Sequence, residues 1–155
     1  MKKIFLLIVT VTFLYSTSLE KQLINIEMCQ SITSVEKNVF FSDFSFLSPL
    51  AFISSKRKPK LGDAKFSKTF QIAFEYGKAY SFSVSTYATN FKVIKKLIED
   101  KFGKKFIFIK SKNKKKMCDY YLIEKDGYKI SLTYACGNKN YMSLGIEKKC
   151  KRDDL

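Results

Sequence analysis

The sequence predicts one exported α+β domain, in which one or two helices pack on a largely antiparallel sheet of about six strands, braced by two disulfides. Three observations predict this class: an apolar leader at the amino terminus, four cysteines after it, and apolar–polar alternation through the second half of the chain. A length of 155 residues corresponds to one domain. Since 46% of the residues are hydrophobic and 15% aromatic, the chain can bury a core, which excludes a disordered basic tail.

Residues 1–18 have the layout of a secretory signal peptide. Two lysines precede an apolar run over 4–15, and small residues follow it just before a cut ahead of Leu19. A membrane-spanning helix needs roughly twenty apolar residues, so an uncleaved anchor is the weaker interpretation. We therefore expect residues 19–155 to form a single exported domain that is periplasmic or secreted.

Four cysteines follow the leader: Cys29, Cys118, Cys136 and Cys150. An even number in an exported chain predicts two disulfides, for which three pairings exist, whereas free thiols would fit a reducing compartment. The chain contains no CxxC motif, so the sequence indicates neither a zinc knuckle nor a thioredoxin-type redox site. Because the predicted strand register places Cys136 beside Cys118, the preferred pairing is Cys118–Cys136 with Cys29–Cys150. This pairing requires a bulge near Met117.

The first third of the mature chain has weaker patterns. Over 21–39 the apolar residues recur at spacings of three and four, which predicts a helix, although its first residues also alternate like a strand. The phenylalanine-rich stretch 39–53 has no single period, and we expect its rings to fill the core; docking on a membrane or in a partner groove is the alternative. The charged segment 56–63 contains Pro59 and Gly62 and predicts an exposed loop.

Two alternating segments separated by one glycine then predict a β-hairpin. Their apolar sets share one face of the sheet if Phe74 opposes Phe82. Ile72 then opposes Val84, and the strands are joined by a loop of three residues, 77–79.

A helix follows the hairpin and is the most regular element of the sequence. Asn90 is placed to cap its start, and Gly103 stands where a left-handed residue ends a helix. Its lysines and Glu99 are predicted to face solvent. The apolar face comprises Phe91, Ile94, Leu97, Ile98 and Phe102.

Short segments after this helix predict a four-stranded antiparallel meander, with strands over 106–109, 118–125, 128–136 and 142–146. The dipeptide Asp126-Gly127 is a strong signal for a two-residue hairpin turn, which makes Ile123 face Ile130. Residues 137–140 are predicted to turn the chain into the last strand.

Composition excludes several kinds of catalytic site. The chain has no histidine, so it contains no imidazole base, no Ser-His or Cys-His nucleophile pair and no imidazole zinc site. It also lacks the G-x-S-x-G, P-loop and G-x-G-x-x-G motifs. We therefore expect a protein that is not an enzyme and that binds no cofactor or metal.

Four carboxylates lie on or beside predicted strands: Glu75, Asp119, Glu124 and Glu147. Two carboxylates that face each other across a cleft could act as acid and base in glycoside hydrolysis. Charged side chains are mostly exposed, however, and we expect these four to lie on a solvated strand face.

The chain is strongly basic, with 29 lysines and arginines against 14 acidic residues and a formal charge of +15. Such charge speeds association with an acidic partner or holds a protein on an anionic surface. Only two of the basic residues are arginine, the side chain preferred for recognising phosphates and bases, so nucleic acid is not the expected partner. Two basic loops are predicted to form the contact surface: Lys56, Arg57, Lys58 and Lys60 in one, and Lys110, Lys112, Lys114, Lys115 and Lys116 in the other.

Two functions from different classes fit these features. The first is a small exported binding protein, monomeric by default, that recognises an acidic protein as an inhibitor or immunity-type protein would. The alternative is a cationic secreted protein that binds an anionic membrane, lipopolysaccharide or glycan surface. The two differ in whether binding depends on a protein partner or on surface charge alone.

Overall fold

The computed structural model describes residues 18–24, 26–31, 34, 39–43, 50–55, 59–111, 118–135 and 138–150. The predicted leader lies outside this part of the chain except for its last residue, Ser18. Within the described part the fold is α+β, as predicted, with two α-helices and an antiparallel sheet. The predicted contact and disulfide residues that lie outside it are Lys56, Arg57, Lys58, Lys112, Lys114, Lys115, Lys116 and Cys136.

More than half of the described residues lie in strands. The helices are α1 (Leu19–Ile24) and α2 (Phe91–Phe102), and a 3₁₀ turn over Ala88–Asn90 precedes α2. The strands are β1 (Val39–Asp43), β2 (Leu50–Ser55), β3 (Lys60–Leu61), β4 (Ala64–Glu75), β5 (Lys78–Tyr87), β6 (Ile107–Ile109), β7 (Tyr120–Lys125), β8 (Tyr128–Ala135) and β9 (Asn138–Lys148).

The sheet has the strand order β1-β2-β4-β5-β9-β8-β7-β6, with β3 paired to β4 alone. Every pair is antiparallel. Helix α2 carries the chain from central strand β5 to β6 at the far edge, and the meander then returns until β9 pairs with β5. The prediction of about six strands missed β1, β2 and β3, because 39–53 has no period and β3 is only two residues long.

One face of the sheet packs against the helices and forms the core. The buried cluster includes Leu23 from α1, Ile98 from α2, and Phe82 and Leu144 from the two central strands. Side chains alternate along each strand, so the opposite face, which we term the open face, carries the small polar residues of β5, such as Ser83.

The predicted helix over 21–39 is interrupted after α1 ends at Ile24. Ser34 is helical again, and residues 32–33 and 35–38 lie outside the described residues. Over 26–30 the chain is turn or irregular, and Ser31 forms an isolated β-bridge with Lys78. Cys29 has a positive φ of 71°, and its N–H donates to the carbonyl of Ala79 at the start of β5 (2.7 Å). The carbonyl of Gln30 accepts the N–H of Ala79 in return (3.0 Å). Over 26–31, backbone pairing with a distant strand therefore replaces the helix that the local spacing predicts.

A buried carboxylate fastens α1 to the sheet. Glu20 is almost fully buried, and its Oε1 accepts hydrogen bonds from the Tyr128 hydroxyl (3.0 Å) and the Met28 N–H (3.4 Å). Its Oε2 has no hydrogen-bond partner among the described residues. Burial and the negative charge of Glu20 raise the pKa of Tyr128, so this hydroxyl remains a donor. Burial lowers the pKa of Lys101, and the charge of Glu20 opposes that effect.

The hairpin of β4 and β5 forms, but its predicted register is wrong by two residues. Ile72 pairs with Phe82, not Val84, and Glu75 pairs with Lys78 across a two-residue turn. Both turn residues have the positive φ angles typical of a tight hairpin, 49° and 75°. A register shift next to Ala73 inserts one extra residue in β5, which keeps both apolar sets on the buried face.

Helix α2 forms over the predicted span, with Ile94 and Ile98 fully buried and Gly103 left-handed at its end (φ 58°, ψ 30°). Leu97, predicted on the apolar face, is exposed. The predicted side-chain cap is wrong: the amide of Asn90 makes no cap hydrogen bond and donates instead to the Thr86 hydroxyl (2.8 Å). Helix α2 instead continues directly from the 3₁₀ turn that precedes it, with no side-chain cap.

The meander also forms as predicted, with Ile123 opposite Ile130 across the Asp126-Gly127 turn. The last turn is tighter than expected, because Ala135 already pairs with Asn138 and only two residues separate β8 from β9. The predicted turn at 137–140 is therefore wrong in extent, and most of it belongs to β9.

The predicted Cys29–Cys150 disulfide is confirmed and joins the segment after α1 to the end of β9. It is the one complete disulfide within the described residues. Cys118 is not a free cysteine, but Cys136 lies outside the described residues. The Cys118–Cys136 pair therefore stays a prediction.

Candidate binding surface

The structure describes one lysine at the end of the first predicted basic loop and one at the start of the second. Lys60 lies in β3 beside β4, and Lys110 directly follows β6; both are exposed. Four strands separate β4 from β6 in the sheet, a span of about 24 Å. These two lysines therefore lie on separate parts of the fold.

Strand β6 combines an open sheet edge with exposed apolar side chains. It pairs with β7 on one side and with no other described strand on its other side. Ile107 is 58% exposed and Phe108 52% exposed. Three exposed lysines flank them along the chain, Lys104, Lys105 and Lys110. We refer to these five residues as the β6 edge surface.

Local structure fixes β6 at both of its ends. The left-handed Gly103 ends α2 and reverses the chain toward the sheet. The buried Glu99 carboxylate accepts the N–H of Phe106, the residue before β6 (2.9 Å). At the other end, Oδ1 of Asp119 accepts the N–H of Ser111 (2.8 Å). Both ends of this short strand are thus held by carboxylates.

The Glu99 carboxylate also forms ion pairs with two lysines. Its Oε1 lies 2.6 Å from the Lys95 ammonium, and its Oε2 lies 3.2 Å from that of Lys105. Burial alone would raise the pKa of Glu99, but the hydrogen bonds from Lys95, Phe106 and Lys105 outweigh burial and lower it to about 2. The prediction that Glu99 faces solvent is wrong, although its spacing of four from Lys95 was a signal for an ion pair.

A chain of aromatic rings supports Phe108 from the helix side. Its ring centroid lies 5.2 Å from that of Tyr121, which lies 4.9 Å from that of Phe91. Phe91 in turn lies 5.3 Å from Tyr134, whose pKa is raised by burial and by Tyr121. Contacts at these separations are typical of stabilising aromatic pairs. Phe108 is therefore exposed yet held in place by packing.

The sequence predicted a strand at β6 but not that its side chains are exposed. The whole strand is apolar, so it shows no alternation that would distinguish a buried from an exposed face. The available signal was the position of this apolar run between lysines on both sides.

Three of the four carboxylates singled out from the sequence line one open cavity of about 490 Å³ with Tyr80 and Tyr128. Glu75, Glu124 and Glu147 all reach it and are exposed, whereas Asp119 lies at the other end of β7. Lysines interleave with these carboxylates, and one of them forms an ion pair of 3.8 Å with Glu147 in which both side chains are half-exposed. The lysines that line the cavity are Lys125, Lys129, Lys148 and Lys149.

Within the described residues, no group of three or more cysteine and carboxylate side chains is arranged to hold a metal ion. None of the helices in the described part of the chain is long and apolar enough to cross a membrane. No protein-family model, no curated protein and no solved structure matches this sequence.

Proposed function

We propose that the protein is a small, exported, non-enzymatic binding domain that recognises an acidic protein, as an inhibitor or immunity-type protein does. The observation that carries this proposal is the β6 edge surface, where Ile107 and Phe108 stand more than half exposed between lysines. Aromatic and aliphatic anchors supply binding energy when a partner covers them, and the surrounding lysines select a negatively charged partner.

The surface is already ordered in the free protein, which favours a role in binding. Glu99 and Asp119 hold the ends of β6, and the aromatic chain supports Phe108. A surface that needs no further ordering loses less entropy when a partner binds. The Cys29–Cys150 disulfide supports export, because disulfides persist in oxidising compartments outside the cytosol.

The proposal that the protein is not an enzyme rests on its chemistry. The chain has no histidine, and the carboxylates that share a cavity, Glu75, Glu124, Asp126 and Glu147, are exposed and interleaved with lysines. A general acid of a glycosidase instead uses a carboxyl whose pKa is raised by an apolar environment. A mixed-charge, solvated cavity offers no such environment.

Site-specific photo-crosslinking in the full chain tests the proposed function. A benzophenone side chain at position 108, expressed in the protein's own cells, should form a covalent adduct with an acidic protein, and added salt should weaken the adduct. The matched control carries the same group at position 76, where the native tyrosine is 80% exposed at the far hairpin turn. A Lys110→Glu change should reduce the adduct at position 108. Equal adducts at both positions, or none at position 108, would refute the proposal.

An anionic membrane surface is the second candidate, and the same observation favours it, since apolar anchors beside lysines also suit a lipid interface. Co-sedimentation with vesicles separates the two candidates. Binding to vesicles that contain anionic lipid, lost with added salt and weakened by Phe108→Ser, would support the membrane. Binding of the acidic protein without any vesicle binding would support the protein partner.

A further inference from the structure

A second exposed aromatic group lies on the open face, away from the β6 edge surface. Tyr87 ends β5 and pairs directly with Tyr141 of β9. The two side chains are 58% and 44% exposed, their ring centroids are 5.3 Å apart, and their planes are inclined by 31°. A cross-strand aromatic pair stabilises a sheet. Aromatic rings are usually largely buried, whereas these two are open to solvent.

Two hollows adjoin this tyrosine pair, and a third shares a lining residue with one of them. Both tyrosines line two of them, with volumes of about 290 and 460 Å³. Ser85 lines the first of these and also a third hollow of about 260 Å³, toward the middle of the open face. The three hollows therefore lie next to one another along one path over β4, β5 and β9. We refer to this path as the tyrosine groove.

The side chains of the tyrosine groove are rich in hydroxyl and amide groups. Ser83, Ser85 and Ser143 line it at one end, and Asn140 lines it at the other. Hydroxyls both donate and accept hydrogen bonds, and an amide does the same. Exposed tyrosine rings between such groups match a sugar chain, whose rings have apolar faces for stacking and hydroxyls around the rim.

The charge of the groove indicates which sugars it would accept. The described residues that line it include two lysines, Lys65 and Lys139, and no aspartate or glutamate. By contrast, the cavity of about 490 Å³ at the other end of the central strands mixes lysines with carboxylates. A polymer with carboxylate or sulfate groups is therefore complementary to the tyrosine groove.

We propose that the tyrosine groove binds an extended anionic polysaccharide chain, with Tyr87 and Tyr141 stacking against its rings. Lys65 and Lys139 pair with acidic groups on the chain, and the serine hydroxyls of the open face hydrogen-bond its hydroxyls. This site is separate from the β6 edge surface and does not depend on the proposed protein partner.

Titration calorimetry of the full chain tests the proposal with two probes, a hexagalacturonate and a heparin-derived hexasaccharide. We expect at least one to bind, and the fully methyl-esterified, uncharged hexagalacturonate to bind more weakly than the acid. The Tyr87→Leu and Tyr141→Leu variants should each weaken binding by about tenfold, the order expected for loss of one stacked ring. Lys139→Gln should weaken it less and should flatten its salt dependence.

Two control variants show whether a loss of binding is specific to the tyrosine groove. Tyr76→Asn removes the most exposed of the described tyrosines, at a left-handed position that asparagine tolerates, and should leave binding unchanged. Phe108→Ser alters the β6 edge surface and should also leave it unchanged. Thermal unfolding checks that each variant is folded. The proposal is overturned if neither acidic probe binds, if the tyrosine variants bind like the native chain, or if the ester binds as tightly as the acid.

Discussion

Replacing Glu99 by glutamine should destabilise the protein in a way that depends on pH. In the native chain the carboxylate is buried against two lysines and holds the N–H of Phe106 ahead of β6. Glutamine keeps nearly the same shape and an acceptor oxygen for that N–H. The substitution therefore removes mainly the charge, and with it the interactions with Lys95 and Lys105.

The magnitude follows from the pKa of Glu99, which is lowered from 4.5 to about 2. Each tenfold change in proton affinity is worth about 1.4 kcal/mol, so the full lowering corresponds to about 3 kcal/mol of unfolding free energy. The Lys105 side chain is 83% exposed, and solvent screens its share. We expect a loss of about 1–2 kcal/mol at neutral pH.

The sign of the pH dependence is set by the lower pKa in the folded state. The stabilisation is fully present above the unfolded pKa of 4.5 and is lost as pH falls through about 2. The pH dependence is measured by urea unfolding of the native chain and the Glu99→Gln variant between pH 7 and pH 3. The other titrating groups are common to the two proteins and cancel in the difference between their unfolding free energies. That difference should fall to less than half its neutral value by about pH 3. A difference that stays constant over this range would refute the assignment.

Three further predictions concern stability and are measured by urea unfolding. Replacing both Cys29 and Cys150 by serine should cost up to about 5 kcal/mol, since the bridge spans 121 residues, and a loss below about 1 kcal/mol would contradict this. Gly145→Ala places a Cβ 2.7 Å from the Ser131 Oγ and should cost about 1 kcal/mol. Adding Ser131→Ala should restore most of that loss, and additive losses would argue against the clash. Tyr128→Phe removes a hydroxyl from the buried carboxylate of α1 and should cost about 1–3 kcal/mol; an unchanged midpoint would contradict it.

The β6 edge surface and the tyrosine groove illustrate what local patterns leave undecided. The sequence predicted that β6 is a strand, but exposure of Ile107 and Phe108 depends on β6 being the last strand of the sheet. Tyr87 continues the alternation of the β5 serines, so its position on the polar face follows from the pattern. Its pairing with Tyr141 does not, because it depends on the register of two strands far apart in the chain.

Elements whose signals are local were predictable from the chain alone. The meander around Asp126-Gly127, the span of α2 and its left-handed Gly103 follow from periodicity and turn chemistry within a few residues. Packing between distant segments determined the rest: the bulge that sets the β4–β5 register, the replacement of a helix at 26–31 by backbone pairing with Ala79, and the burial of Glu99. These features escape prediction because apolar spacing records which side of a segment avoids water, but not which other segment covers it.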